Sequence, residues 1–68
     1  MNNIKITTDF IKLEQLLKLA NIVSSGGIAK ELIQNGEIKV NGEVEIKRGK
    51  KLRPGDFIEY EGQKFFIE

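Results

Sequence analysis

Residues 32–46 read Leu-Ile-Gln-Asn-Gly-Glu-Ile-Lys-Val-Asn-Gly-Glu-Val-Glu-Ile, and the spacing of the apolar positions changes inside this stretch. Up to Ile33 they recur at helical intervals. After Gly36 they alternate: Ile38 and Val40 with Glu37 and Lys39, then Val44 and Ile46 with Glu43 and Glu45. A period near 3.6 marks one face of a helix, and a period of two marks one face of a strand. The stretch is therefore the end of a helix stopped at Asn35-Gly36, followed by a hairpin turning at Asn41-Gly42. The register of that hairpin stays open. A two-residue turn sets Val40 opposite Glu43, so the apolar faces of the two arms would not coincide. A bulge near Gly42, or a longer loop, would restore the match.

Reading backwards, Ile28, Ala29, Leu32 and Ile33 form the apolar face of that helix, with Ser24 or Ser25 as its N-cap. Before it, Phe10, Leu13, Leu16, Leu17 and Ala20 share a stripe at helical spacing, while Lys12, Glu14, Gln15 and Lys18 lie off it. This predicts a first helix capped by Thr8 or Asp9 and stopped at Asn21 in a left-handed conformation. Ile11 and Leu19 fall outside the stripe, which predicts cover on more than one side. Residues 3–7, Asn-Ile-Lys-Ile-Thr, alternate as a short strand.

Reading forwards, residues 47–55 form a connecting loop closed by Pro54-Gly55, where glycine suits the positive φ of a type II turn. A last hairpin joins Asp56–Tyr60 to Gln63–Ile67 through Glu61-Gly62. Its two-residue turn pairs Glu59 with Lys64 and Ile58 with Phe65, consistent in charge and in apolarity. The order is strand, helix, helix, four strands. The expected class is α+β: two short helices packed on one side of a small, bent, mostly antiparallel sheet.

Sixty-eight residues, 40% of them hydrophobic and 31% charged, make one small domain spanning 1–68. A chain this short buries only about 60% of its unfolded surface, so most apolar residues are committed to the core and few remain for a small-molecule pocket. The sequence has no cysteine and no histidine. Disulfides, thiolate chemistry, the usual neutral-pH base and the commonest metal ligand are therefore missing. No pair of carboxylates sits in a motif that would make it catalytic. The expectation is a protein with no catalytic residues, metal or cofactor. No apolar run approaches the length of a membrane span, and Met-Asn-Asn-Ile-Lys lacks a signal-peptide core. A cytoplasmic location is expected.

The net charge of +1 hides an asymmetry. Lys47, Arg48, Lys50, Lys51 and Arg53 lie within seven residues that contain no acid, so the rest of the chain is net acidic. Five like charges repel one another. A polyanion relieves that repulsion, and each phosphate neutralised releases a condensed counterion. The competing reading is a solvated loop balanced by Glu43 and Glu45. A second candidate is Ser24-Ser25-Gly26-Gly27 at the start of the second helix, where free amides and bare glycines suit a phosphate, with Lys30 one turn on. Its competing reading is a plain cap and turn. Most of the five aromatic residues fit core positions, with Tyr60 and Phe66 as candidates for exposure. Recognition is thus expected to use shape and phosphates instead of base stacking.

Taken together, Lys12-Leu13-Glu14-Gln15-Leu16-Leu17, Ser24-Ser25, Ala29-Lys30, Leu32-Ile33, Gly36, Ile38-Lys39-Val40-Asn41-Gly42 and Pro54-Gly55-Asp56 resemble the S-four (S4) RNA-binding domain, or alpha-L motif. The likeness covers about residues 10–60, with the spacing intact, and is greatest to the small stand-alone bacterial members. It implies binding of structured RNA, ribosomal or transfer, with ribosomal particles as possible partners. It also implies RNA-facing positions at Lys12, Ser25, Lys30 and Lys39. Two departures weaken the helix face: Gly26 stands where the family often has arginine, and Gln15 where lysine is common. The basic loop Lys47–Arg53 would compensate. The expected function is non-catalytic RNA binding through a basic surface formed by Lys12, Ser25, Gly26, Lys30, Lys39, Lys47, Arg48, Lys50, Lys51 and Arg53. The alternatives are a protein-interaction adaptor that docks the basic loop on an acidic partner and, more weakly, a duplex-DNA binder.

Overall fold

In the computed structural model, which describes residues 2–68, the Asn41-Gly42 turn is tight. Asn41 and Gly42 have φ of 51° and 88°, the pair of positive values that a two-residue type I′ turn requires. Val40 lies opposite Glu43 and Lys39 opposite Val44, so there is no bulge and no longer loop. The mismatch foreseen for such a turn is real. Val40 is buried, whereas Val44 and Ile46 are 55% and 62% exposed. The second hairpin has the expected register, Glu59 with Lys64 and Ile58 with Phe65, and its turn residues Glu61 and Gly62 also have positive φ.

The elements run β1 (Asn2–Ile4), β2 (Ile11–Lys12), α1 (Leu13–Leu19), α2 (Gly26–Gln34), β3 (Lys39–Val40), β4 (Glu43–Val44), β5 (Lys51–Leu52), β6 (Phe57–Tyr60) and β7 (Gln63–Ile67). Five strands make one sheet in the order β1-β7-β6-β3-β4, while β2 and β5 form a separate two-stranded ribbon. Among the described residues only β1 pairs in parallel, with β7. The architecture is the expected α+β arrangement of two helices with a mostly antiparallel sheet.

Paired residues share a face, so the rows can be read from the register. Phe65, Ile58 and Val40 form an inner row, and Lys64, Glu59, Lys39 and Val44 form an outer one. The inner row meets Leu13, Leu16 and Leu17 of α1, Ala29 and Ile33 of α2, and Ile38, Leu52 and Ile67 in a single core. The connection at Asn41 is locked from outside. Its side-chain Nδ2 donates to Asp56 Oδ1 (3.1 Å), and its Oδ1 accepts from the Phe57 N–H (3.0 Å). Asp56 Oδ2 in turn accepts from the Arg53 N–H (2.8 Å). The Asn-Gly turn and the Pro-Gly-Asp turn thus hold one another, which gives both motifs a structural role.

The start of α1 differs from the sequence expectation. Thr8 and Asp9 do not cap it; the helix begins at Leu13, after Lys12. Phe10 lies before the helix, and the strand expected over 3–7 covers only Asn2–Ile4. The cause is long-range. Ile11 pairs with Leu52 and Lys12 with Lys51, which holds the chain extended up to Lys12. Leu19 is also uncovered, 52% exposed, and Ile28 of α2 is exposed where an apolar contact was expected. The stops conform: Asn21 has φ 60°, and Ser25 is the residue whose hydroxyl caps α2 by accepting from the Ile28 N–H.

Candidate nucleic-acid interface

A helix leaves its first amides without intrahelical partners. In α1, two of them reach across to the basic segment: the Leu13 N–H donates to the Lys50 carbonyl (2.8 Å) and the Glu14 N–H to the Arg48 carbonyl (3.0 Å). Leu52, fully buried, anchors the far end of the same segment. What reads in sequence as a free loop is therefore fastened along its backbone, with Lys47, Arg48, Lys50, Lys51 and Arg53 all exposed. The carboxylates that reach it bond main-chain amides. Glu45 Oε2 accepts from the Lys47 N–H (3.1 Å), and Asp56 from that of Arg53.

The β2–β5 ribbon sets Lys12 directly opposite Lys51. Like charges in that relation are destabilising, and the pairing is retained at the N-terminal end of α1. The Lys51 ammonium lies 4.9 Å from the centroid of the Phe10 ring, a cation–π contact. Beside this pair, a groove of about 760 Å³ runs along α1, with Phe10, Ile11 and Leu19 as its apolar surface and Lys12, Gln15 and Lys18 along it. Gln15 Oε1 accepts from the Lys12 N–H (3.3 Å), which leaves the amide NH2 as its free donor.

The remaining candidates lie elsewhere. Ser25 and Gly26 enter α2 from the other end of α1, because the chain stays hydrogen-bonded to the Leu17 carbonyl through Ile22 and Val23. Ser25 Oγ is engaged as the cap (3.3 Å), and a Cβ placed on Gly26 would meet nothing within 4 Å. Lys30 is exposed on α2. Lys39 is exposed on the outer row, across from Glu59, in a hollow shared with Glu37, Tyr60 and Glu61. The structure thus unites Lys12 with the basic segment and sets Lys39 among carboxylates.

Sequence reasoning missed Phe10, Lys18 and Leu19. The ring counted as a core residue of a longer helix is 36% exposed beside the lysine pair. The available signal was Leu52, the one apolar residue inside the basic run, which calls for a buried partner elsewhere in the chain.

Against this geometry, the chain matches the family model described as S4 domain over residues 4–68. It is also 48% identical over 61 residues to a Bacillus subtilis (strain 168) protein named probable ribosome maturation protein RlbA, covering 90% of this chain and 86% of that one.

Proposed function

The chain belongs to the S4 domain family, and on that premise we propose that it is a non-catalytic RNA-binding protein that grips structured ribosomal or transfer RNA through one cationic corner. The observation that carries this reading is the Lys12–Lys51 pair beside a basic segment bonded to the first amides of α1. Such a cluster is costly to the free protein and is relieved by phosphates. Lys12, Lys47, Arg48, Lys50, Lys51 and Arg53 form the principal contact. Ser25, Gly26 and Lys30 at the start of α2 extend it at the opposite end of α1, and Lys39 contributes least because Glu59 faces it. The name of the Bacillus relative supports a ribosomal target, a precursor particle or its RNA, met in the cytoplasm. No helix among the described residues is long and apolar enough to cross a membrane.

Filter binding of a folded ribosomal RNA fragment, against duplex DNA of the same sequence and across a salt series, tests the proposal. The folded RNA should bind more tightly, with affinity falling steeply as salt rises. Exchanging Lys50 and Lys51 for glutamate should weaken all structured RNAs about tenfold or more and lower the salt slope by about one for each phosphate no longer neutralised. Unchanged affinity in that variant, or equal binding to an acidic competitor protein, would refute it.

A further inference from the structure

We propose that the groove beside α1 receives an unpaired base of the bound RNA, stacked on Phe10, so that the preferred target is a helix interrupted by a bulged or flipped-out nucleotide. The inference rests on the RNA-binding reading and adds to it the kind of RNA the corner selects.

The lining carries the argument. The groove residues Thr8, Phe10, Ile11, Lys12, Gln15, Lys18 and Leu19 include two lysines, three large apolar side chains and no carboxylate. Lys51 adds a third ammonium over the Phe10 ring. An apolar surface whose only charged lining residues are cationic fits a ligand that is flat and apolar at its centre and anionic at its ends, as a nucleobase between two phosphates is. Paired bases cannot supply this, because their faces are stacked within the duplex and the grooves of A-form RNA offer at most their edges. A base lifted out of the stack can.

Phe10 offers its face as the other phenyl rings do not: Phe57 and Phe66 pack against each other at 5.3 Å and Phe65 is buried in the core, whereas Phe10 is 36% exposed. Its present companion is the Lys51 ammonium, an exposed and flexible group that a phosphate would draw aside, leaving the ring to the base. The Gln15 NH2, unused by the cap, can meet an acceptor on the base edge.

The chain has no tryptophan, so Phe10→Trp provides a unique fluorophore in the groove. Its emission is read against two RNA hairpins of identical stem, one continuous and one with a single bulged adenosine. Affinities are measured in parallel for the parent, Phe10→Ala and Phe10→Leu, the last keeping the apolar contact without the π face. The parent should bind the bulged hairpin about tenfold more tightly, and that hairpin alone should quench the tryptophan. Both Phe10→Ala and Phe10→Leu should bind the two hairpins alike, at the parent's affinity for the continuous one. Equal quenching by both hairpins, or full discrimination retained in Phe10→Leu, would overturn the groove assignment and leave the surface to an acidic protein segment. Failure of the parent to bind either hairpin at low salt would instead overturn RNA binding itself.

Discussion

Two corners of the molecule each contain lysines on short antiparallel strands, and their register makes them electrostatic opposites. Where β3 meets β6, Lys39 faces Glu59, which faces Lys64, so the outer row alternates in sign. Tyr60 beside it has its pKa raised, first by hydrogen bonding to the Glu61 carboxylate, then by partial loss of solvent, and last by the negative charges of Glu61 and Glu37. Where β2 meets β5, Lys12 faces Lys51, and the sign does not alternate. A lysine in the first corner is answered by a carboxylate of the protein, whereas in the second each lysine faces another. Counting basic residues along the chain does not separate these cases. Knowing which residue lies across the ladder does.

The contrast is broken most directly by reversing one charge in each corner. Lys12→Glu should lower RNA affinity about tenfold or more. By converting a like pair into an opposite one, it should also stabilise the free protein by a few tenths of a kcal/mol. Lys39→Glu should change affinity no more than about twofold and should stabilise nothing. Filter binding and thermal melts on both variants give the comparison, and equal losses of affinity would abolish it. A smaller effect is expected from extending the cationic region across α1. Because a Cβ at Gly26 meets no atom, Gly26→Arg should fold normally and tighten RNA binding about threefold. Its cost is a slight mismatch with the positive end of the α2 dipole, visible as a lower melting temperature.

The smallest effect concerns the acidic corner alone. Tyr60 is the only tyrosine in the chain, so tyrosinate absorbance reports it directly. Glu61→Gln should lower its titration midpoint toward 10, since the hydrogen bond to the carboxylate is the leading cause of the rise. A folded-state pKa above the unfolded value stabilises the fold at lower pH, and the contribution disappears as pH climbs through the folded value. The variant should therefore lose less stability in alkali than the parent does.

Local chemistry was legible in the sequence wherever a turn or cap is written in adjacent residues. Asn41-Gly42, Glu61-Gly62, Asn21 and a cap at Ser24 or Ser25 all follow from residues within a few positions of one another. The final hairpin even gave its register, because only one alignment matches Glu59 with Lys64 and Ile58 with Phe65. What stayed hidden is the β2–β5 ribbon. A strand of two residues has no measurable period, and its partner lies beyond two helices and a hairpin. Without that ribbon, Thr8 and Asp9 look like ordinary caps and Phe10 looks like the first core residue of α1. The same omission concealed the groove. Val44 and Ile46 left the first hairpin open: their alternation asks for burial, which needs a bulge or longer loop, and the tight turn leaves them exposed.

The bonds from Leu13 and Glu14 to the carbonyls of Lys50 and Arg48 bear on how the molecule comes into being. The helix start and the strap that completes it are made at different times on the ribosome, with about half of the protein translated in between. A nascent chain ending before residue 47 has the start of α1 but neither the strap nor its charges. Nucleic-acid grip should therefore switch on late in synthesis, when that closure forms, and neither severed half should inherit a share of it.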